Sequence, residues 1–266
     1  MRSCGFSLNC CRVAVAVSWK KMALIVIPVM AIALALGASG AAQADLVNNG
    51  GFESNTGNGQ LGFNTTVADW SVPGGGYTFL FAPGTADTSG ATGQYGPLSL
   101  WGPGNGSPNG LPATSPAGGY FIAQDGDFQQ AAIQQTINGL TVGQQYQVGF
   151  WWAAAQQFGF TGASTEQWQV SLGASTQSTA NVNVPSHGFS GWMYQTMNFT
   201  ADSTSDVLSF FANSTTGGVP PFALLDGVTM SSAVPEPTCW IGCLGMLCLG
   251  LVRLRRRTKA AGVTAV

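Results

Sequence analysis

The chain has 266 residues, 45% of them hydrophobic, only 8% charged, and a formal net charge of −2. All nine Lys and Arg lie at its ends (Arg2, Arg12, Lys20 and Lys21; Arg253, Arg255, Arg256, Arg257 and Lys259), whereas residues 45–233 hold ten of the eleven Asp and Glu, with His187 as their one imidazole. Nucleic acid is thereby excluded as a partner of the middle of the chain, since phosphate neutralisation needs Lys or Arg. An acidic body of this kind either stays soluble by like-charge repulsion or binds divalent cations. The six cysteines (Cys4, Cys10, Cys11, Cys239, Cys243 and Cys248) are terminal too, so the body has no disulfide framework, thiolate nucleophile or Cys-based metal site.

At the N-terminus, Lys20 and Lys21 precede an apolar run over 22–36 and then small residues ending Ala42-Gln43-Ala44. A basic region, an apolar region and an A-x-A site in that order read as a secretory signal peptide over 1–44, cut between Ala44 and Asp45, with a retained N-terminal anchor as the alternative. A body over 45–233 follows. It opens Asn49-Gly-Gly-Phe-Glu53 and continues through a polar, glycine-rich region with aromatic islands at Asp69-Trp70, 77–81 and 98–101. Residues 82–119 are dense in Gly, Pro, Ser and Thr and read as turns. A loop of that length is uncommon in a compact domain, so it is either functional or poorly ordered.

Beyond Tyr120 the pattern becomes regular. Strands are expected at 120–123, 132–137, 145–153, 167–172, 192–199, 207–212 and 224–230, separated by Gly, Asn, Pro and Ser. Short strands without a helical period indicate an all-β sandwich. The clearest alternation sends Tyr146, Val148, Phe150 and Trp152 to the core and Gln145, Gln147, Gly149 and Trp151 to the other face. Trp168, Val170 and Leu172 repeat the inward choice, and Trp70 and Trp192 also read as core.

The tail runs Val234-Pro235-Glu236-Pro237, an apolar stretch and a basic cluster of Arg253, Arg255, Arg256 and Arg257. This tripartite order over 234–259, with a residual tail at 260–266, resembles the PEP-CTERM sorting signal of Gram-negative bacteria. The resemblance implies an exported protein recognised by the membrane enzyme exosortase, processed near the motif, and associated with extracellular polysaccharide or biofilm at the cell surface or matrix. Residues 239–252 would span about 21 Å as a helix, shorter than a hydrocarbon core of about 30 Å. That suits a transient hold in the inner membrane, with the arginines cytoplasmic; an ordinary tail anchor is the alternative.

The body resembles the galactose-binding-like jelly rolls of carbohydrate-binding modules. The matching pieces are Asn49-Gly-Gly-Phe-Glu53, Ile133-Gln-Gln-Thr-Ile-Asn-Gly-Leu140 leading into 145–153, and Leu224-Leu-Asp-Gly-Val228. In that family an acidic residue of the opening motif and an Asp near the last strand bind a structural Ca²⁺, which implies Glu53 and Asp226 here, both hard oxygen donors.

Three further sites can be weighed from residue chemistry. Asp125-Gly-Asp127 is ordinary turn chemistry, with a metal or a glycosidase carboxylate pair as the sharper readings. His187 lies in a loop with no nucleophile-elbow serine beside it, which leaves little for a triad. Trp151, flanked by Gln145 and Gln147, could stack a sugar ring while amides bond its hydroxyls, or loops could cover it; Tyr95 and Trp101 are further aromatic candidates. The reading that follows is a non-enzymatic exported surface or matrix protein. A specific carbohydrate-binding module is the alternative, and an uncharacterised hydrolase the second.

Overall fold

The computed structural model describes residues 44–214 and 219–233. The expected signal peptide, the sorting motif Val234–Pro237, the apolar segment and the arginine cluster therefore lie outside the described residues. No helix among the described residues is long and apolar enough to cross a membrane.

Thirteen strands are present among the described residues: β1 (Gly59–Gln60), β2 (Thr78–Phe81), β3 (Ala91–Gly93), β4 (Gly96–Leu98), β5 (Phe121–Asp125), β6 (Ile133–Asn138), β7 (Gln145–Gln156), β8 (Ser164–Leu172), β9 (Ser175–Ser178), β10 (Val182–Val184), β11 (Met193–Thr200), β12 (Ser205–Asn213) and β13 (Pro221–Ser232). Two sheets carry the fold. One has the order β1-β2-β5-β13-β7-β11 and the other β10-β8-β12-β6, with β9 added beside β8. Every pairing within them is antiparallel. The eight strands β5–β8 and β10–β13 form two four-stranded sets, β5-β13-β7-β11 and β6-β12-β8-β10. Strands one to eight of that series thus pair as 1-8-3-6 and 2-7-4-5, which is jelly-roll order. The expected fold class is the observed one.

The inward faces interdigitate as alternation requires. Tyr146, Val148, Phe150 and Trp152 of β7 meet Trp168, Val170 and Leu172 of β8, Leu208 and Phe210 of β12, and Ile133 and Ile137 of β6. Trp168 is fully buried, and its indole N–H donates to Leu224 O at 3.1 Å across the sandwich. Trp70 joins this core edge-on to Phe52. The first segment is stitched to the last strand: Leu46 N donates to Met230 O (2.8 Å), Val228 N to Gly50 O (2.9 Å), and Met230 N to the Asp45 carboxylate (2.8 Å). Ala44, just before it, is exposed.

A second apolar cluster lies on the opposite face of the six-stranded sheet. Phe79, Phe81, Phe121, Ala123, Ala153, Ala155, Phe222 and Leu224 are buried there beneath Ala86, Ala91, Leu98, Leu100 and Leu111. The covering layer is the glycine-rich stretch 82–119, ordered by the β3–β4 hairpin, a 3₁₀ turn at Pro103–Asn105 and polar ties. Asp87 accepts Gly104 N at 2.7 Å, and Leu100 N donates to Ala86 O at 2.7 Å. Poor order, one of the two readings of this stretch, is therefore corrected. Its glycines let backbone lie directly on aromatic rings; a Cβ at Gly93 would sit 2.7 Å from the Phe79 ring. Trp192 packs against this outer cluster and not in the sandwich core where its sequence placed it, because β11 begins one residue later and leaves it in the preceding loop.

Candidate functional site

The outer layer covers β2, β5, the Ala153–Ala155 end of β7 and part of β13, but leaves the Gln145–Trp151 part of β7, with β11 beside it, open. The register sets Tyr194 against Trp151, Thr196 against Gly149, Asn198 against Gln147 and Thr200 against Gln145. All eight share the outward face because strand side chains alternate. Trp151 is half-buried, whereas Gln145, Gln147, Thr196, Asn198 and Thr200 are exposed and Tyr194 is 53% exposed.

The two rings form a shallow aromatic floor. Their centroids lie 5.2 Å apart at 57°. Gly149 makes room for Tyr194: a Cβ there would meet the tyrosine hydroxyl at 2.3 Å. On its other side Trp151 borders the β-bulge between Asp226 and Thr229, which Ala117 of the outer layer also approaches. Gly227 in that bulge has φ +59°, and a Cβ on it would touch both Ala117 (2.8 Å) and the Trp151 ring (3.2 Å). Beside the rings, Gln147 Nε2 donates to Asn198 Oδ1 at 3.4 Å and Thr229 Oγ1 to Gly149 O at 3.3 Å. The face combines a fixed apolar floor with amide and hydroxyl groups at its margin. Sequence parity placed Trp151, Gln145 and Gln147 on this outward face and did not name Tyr194, Thr196 and Asn198, which share it. The alternation Met193, Met197, Phe199 marked them as outward, but nothing in the chain announced that β11 pairs with β7.

Glu53 and Asp226 are brought together around Gly51, where a Cβ would lie 3.9 Å from both Asp226 Oδ1 and Glu53 Cγ. Glu53 is exposed and accepts Tyr120 N at 2.8 Å. Asp226 is fully buried; it accepts Gly227 N at 2.6 Å and the Ser115 hydroxyl. Burial pushes its carboxyl up to about 7, opposed by the Ser115 and Gly227 hydrogen bonds and reinforced by the Glu53 charge.

Asp125 ends β5 and caps the turn beyond it, its Oδ1 accepting Asp127 N (2.8 Å) and Phe128 N (2.9 Å). The turn reading of Asp125-Gly-Asp127 thus holds. Burial raises the Asp125 carboxyl to about 6, against those two hydrogen bonds. Both aspartates line a pocket of about 370 Å³ with Tyr77, Tyr95, Phe128 and Phe160. Tyr95 is exposed and packs on Tyr77 and Phe128. His187 stacks on Trp101 at 3.9 Å, and the serine hydroxyl that reaches it, Ser107 Oγ, donates to its backbone carbonyl and not to the imidazole. Trp101 is therefore a wall for the His187 loop, with Phe158 on its edge at 4.5 Å.

No protein-family model and no curated protein matches the chain. Among solved structures it is similar to TmCBM61 in complex with β-1,4-galactotriose (18% identity over 71% of this chain and 99% of that one, TM-score 0.37). It is also similar to the CBM22-1 xylan-binding domain of Paenibacillus barcinonensis Xyn10C (10% identity, 74% and 100%, TM-score 0.37). A third is the CBM22-1–GH10 part of Clostridium thermocellum Xyn10B with xylohexaose (15% identity, 73% and 29%, TM-score 0.38). Likeness at this level leaves the function of the chain to the chemistry of its own faces.

Proposed function

We propose that this chain is a non-catalytic, exported surface or matrix protein whose jelly roll binds extracellular polysaccharide on the β7–β11 face. The observation that carries the reading is the Trp151–Tyr194 floor with Gln147, Asn198, Gln145 and Thr196 at its margin. Sugar rings offer an apolar C–H face and a rim of hydroxyls, and a fixed indole beside carboxamides answers both. The absence of Lys and Arg from residues 45–233 suits neutral glycans over anionic ones, since no cation meets a uronate or sulfate.

The test is affinity electrophoresis through gels containing soluble β-glucan, xylan or galactan. Wild-type protein should be retarded by at least one of them. Trp151→Ala should weaken that binding by about tenfold or more, the order expected for a central aromatic anchor, with the folded melting profile retained. Free migration in every glycan, or retardation undiminished in Trp151→Ala, would overturn the reading.

Export and sorting rest on the terminal signals. Signal peptidase would cut before Asp45, and exosortase would act at Val234–Pro237 while the apolar segment holds the chain in the inner membrane. Glu53 and Asp226 fit a structural Ca²⁺ in charge and ligand hardness, being a buried and an exposed carboxylate side by side with no basic side chain in the body to neutralise either. The ion would tie the opening segment to β13. Loss of part of the Ca²⁺-dependent rise in melting temperature in Glu53→Gln checks it.

A further inference from the structure

The inward row of β8 reads Ser164, Glu166, Trp168, Val170 and Leu172, every member buried. Trp168, Val170 and Leu172 suit a sandwich interior. Glu166 does not: it is fully buried, and neither carboxylate oxygen meets a donor in good hydrogen-bond geometry, although the backbone N–H of Gln167 lies near enough to favour its charge. The buried hydroxyl of Ser164 beside it also lacks a hydrogen-bond partner. A polar group left in this condition is costly, and a carboxylate most of all.

Glu166 points at the turn that ends β5. A Cβ on Gly126 would lie 2.2 Å from its Oε1 and 2.8 Å from its Oε2. Only a glycine between the two aspartates lets the glutamate come up beneath the turn. Asp125 and Asp127 are near enough that the charge of each pushes the Glu166 carboxyl up, adding to the larger effect of burial. Three acidic side chains thus converge where β5 of one sheet meets β8 of the other. No Lys or Arg occurs between residues 45 and 233, and His187 is occupied against Trp101. Asp125 and Asp127 also line the 370 Å³ pocket, which opens a path for water and small ions.

We propose that Asp125, Asp127 and Glu166 hold a divalent cation, Ca²⁺ by the chemistry of their donors, at a site separate from Glu53 and Asp226. The donors are all hard oxygens, without nitrogen or sulfur. Asp125 Oδ1 is engaged in the turn, which leaves Oδ2 to the ion. Among the described residues no three acidic or imidazole groups already stand at ligand spacing. Two of the three carboxylates would bind directly and the third through pocket water, with backbone carbonyls completing a shell of the irregular kind Ca²⁺ accepts. The ion would tie β5 of one sheet to β8 of the other, a crosslink for which residues 45–233 offer no cysteine, lysine or arginine.

The test uses the metal alone. With about 1 mM CaCl₂ against EDTA, the melting temperature of the wild type should rise by about 5 °C or more, as for a ligand well above its Kd. Glu166→Gln should abolish most of that increment while melting higher than the wild type in EDTA, since the cost of keeping a buried carboxyl protonated is gone. Asp125→Asn, which keeps the turn acceptor, should reduce the increment. No increment in the wild type, or an undiminished one in Glu166→Gln that disappears in Glu53→Gln, would overturn the proposal. Should Glu166→Gln fail to fold, Tb³⁺ replaces the mutant comparison. Emission sensitised through Tyr77, displaced by Ca²⁺ and dimmed in Tyr77→Phe, is expected; unsensitised emission would count against the site. Glycan binding at Trp151 is independent of either result.

Discussion

Gly149 shapes the β7–β11 face as much as the rings do. Tyr194 can lie across the sheet because nothing projects beneath its hydroxyl. Gly149→Val should therefore lift the ring and lower glycan affinity several-fold with Trp151 untouched, read in the same gels, while β-propensity at the position improves. The buried carboxylates make a second residue-level prediction. Folded Asp226 keeps its proton to about pH 7, whereas an unfolded Asp releases it near 4. Their contribution to stability is full below about pH 4 and is lost as pH rises through about 7, because the unfolded chain ionises first. Asp125, raised to about 6, acts in the same direction over a narrower window. In EDTA the denaturation free energy should be greater at pH 5 than at pH 8 by about 2 kcal/mol or more, and Asp226→Asn should flatten the profile.

At the scale of elements, the outer layer distinguishes this sandwich. Phe79 is as deeply buried as Phe210, though one lies under the glycine-rich layer and the other between the sheets. Phe79→Ala should cost about 3–5 kcal/mol, like a core substitution, measured by denaturant unfolding; a loop merely draped on the surface would give a small fraction of that. The same elements show what sequence reading can and cannot see. Strands with one face to the core, such as Tyr146-to-Trp152 and Trp168-to-Leu172, announced themselves by alternation. β2 did not, because Thr78–Phe81 is buried on both sides and so has no period-2 signature. The order in 82–119 was hidden because its packing relies on glycine backbone against rings, which in composition looks like loop. Glu166 was within reach: it shares the parity of Trp168, but the predicted strand started one residue after it. Its neighbours from β5 depend on tertiary pairing that no local pattern encodes.

On the proposed reading, the whole molecule separates address from function. Its basic residues and thiols belong to terminal segments outside the described residues, and its acidic, cysteine-free sandwich carries the aromatic face and the buried carboxylates. On the proposed route, intact mass of the protein recovered outside the cell should correspond to a chain beginning at Asp45 and lacking Arg253 to Arg257. The stitching of the first segment to the last strand adds a constraint of timing. Asp45 and Leu46 are tied by hydrogen bonds to Met230, and a protease needs the residues flanking its target bond free to extend into its own cleft. A cut before Asp45 therefore belongs to a chain whose final strand has not yet docked. Because β13 ends at Ser232, close to the proposed sorting motif, removal of the proposed leader should precede closure of the sandwich, so that the two ends mature in a fixed sequence.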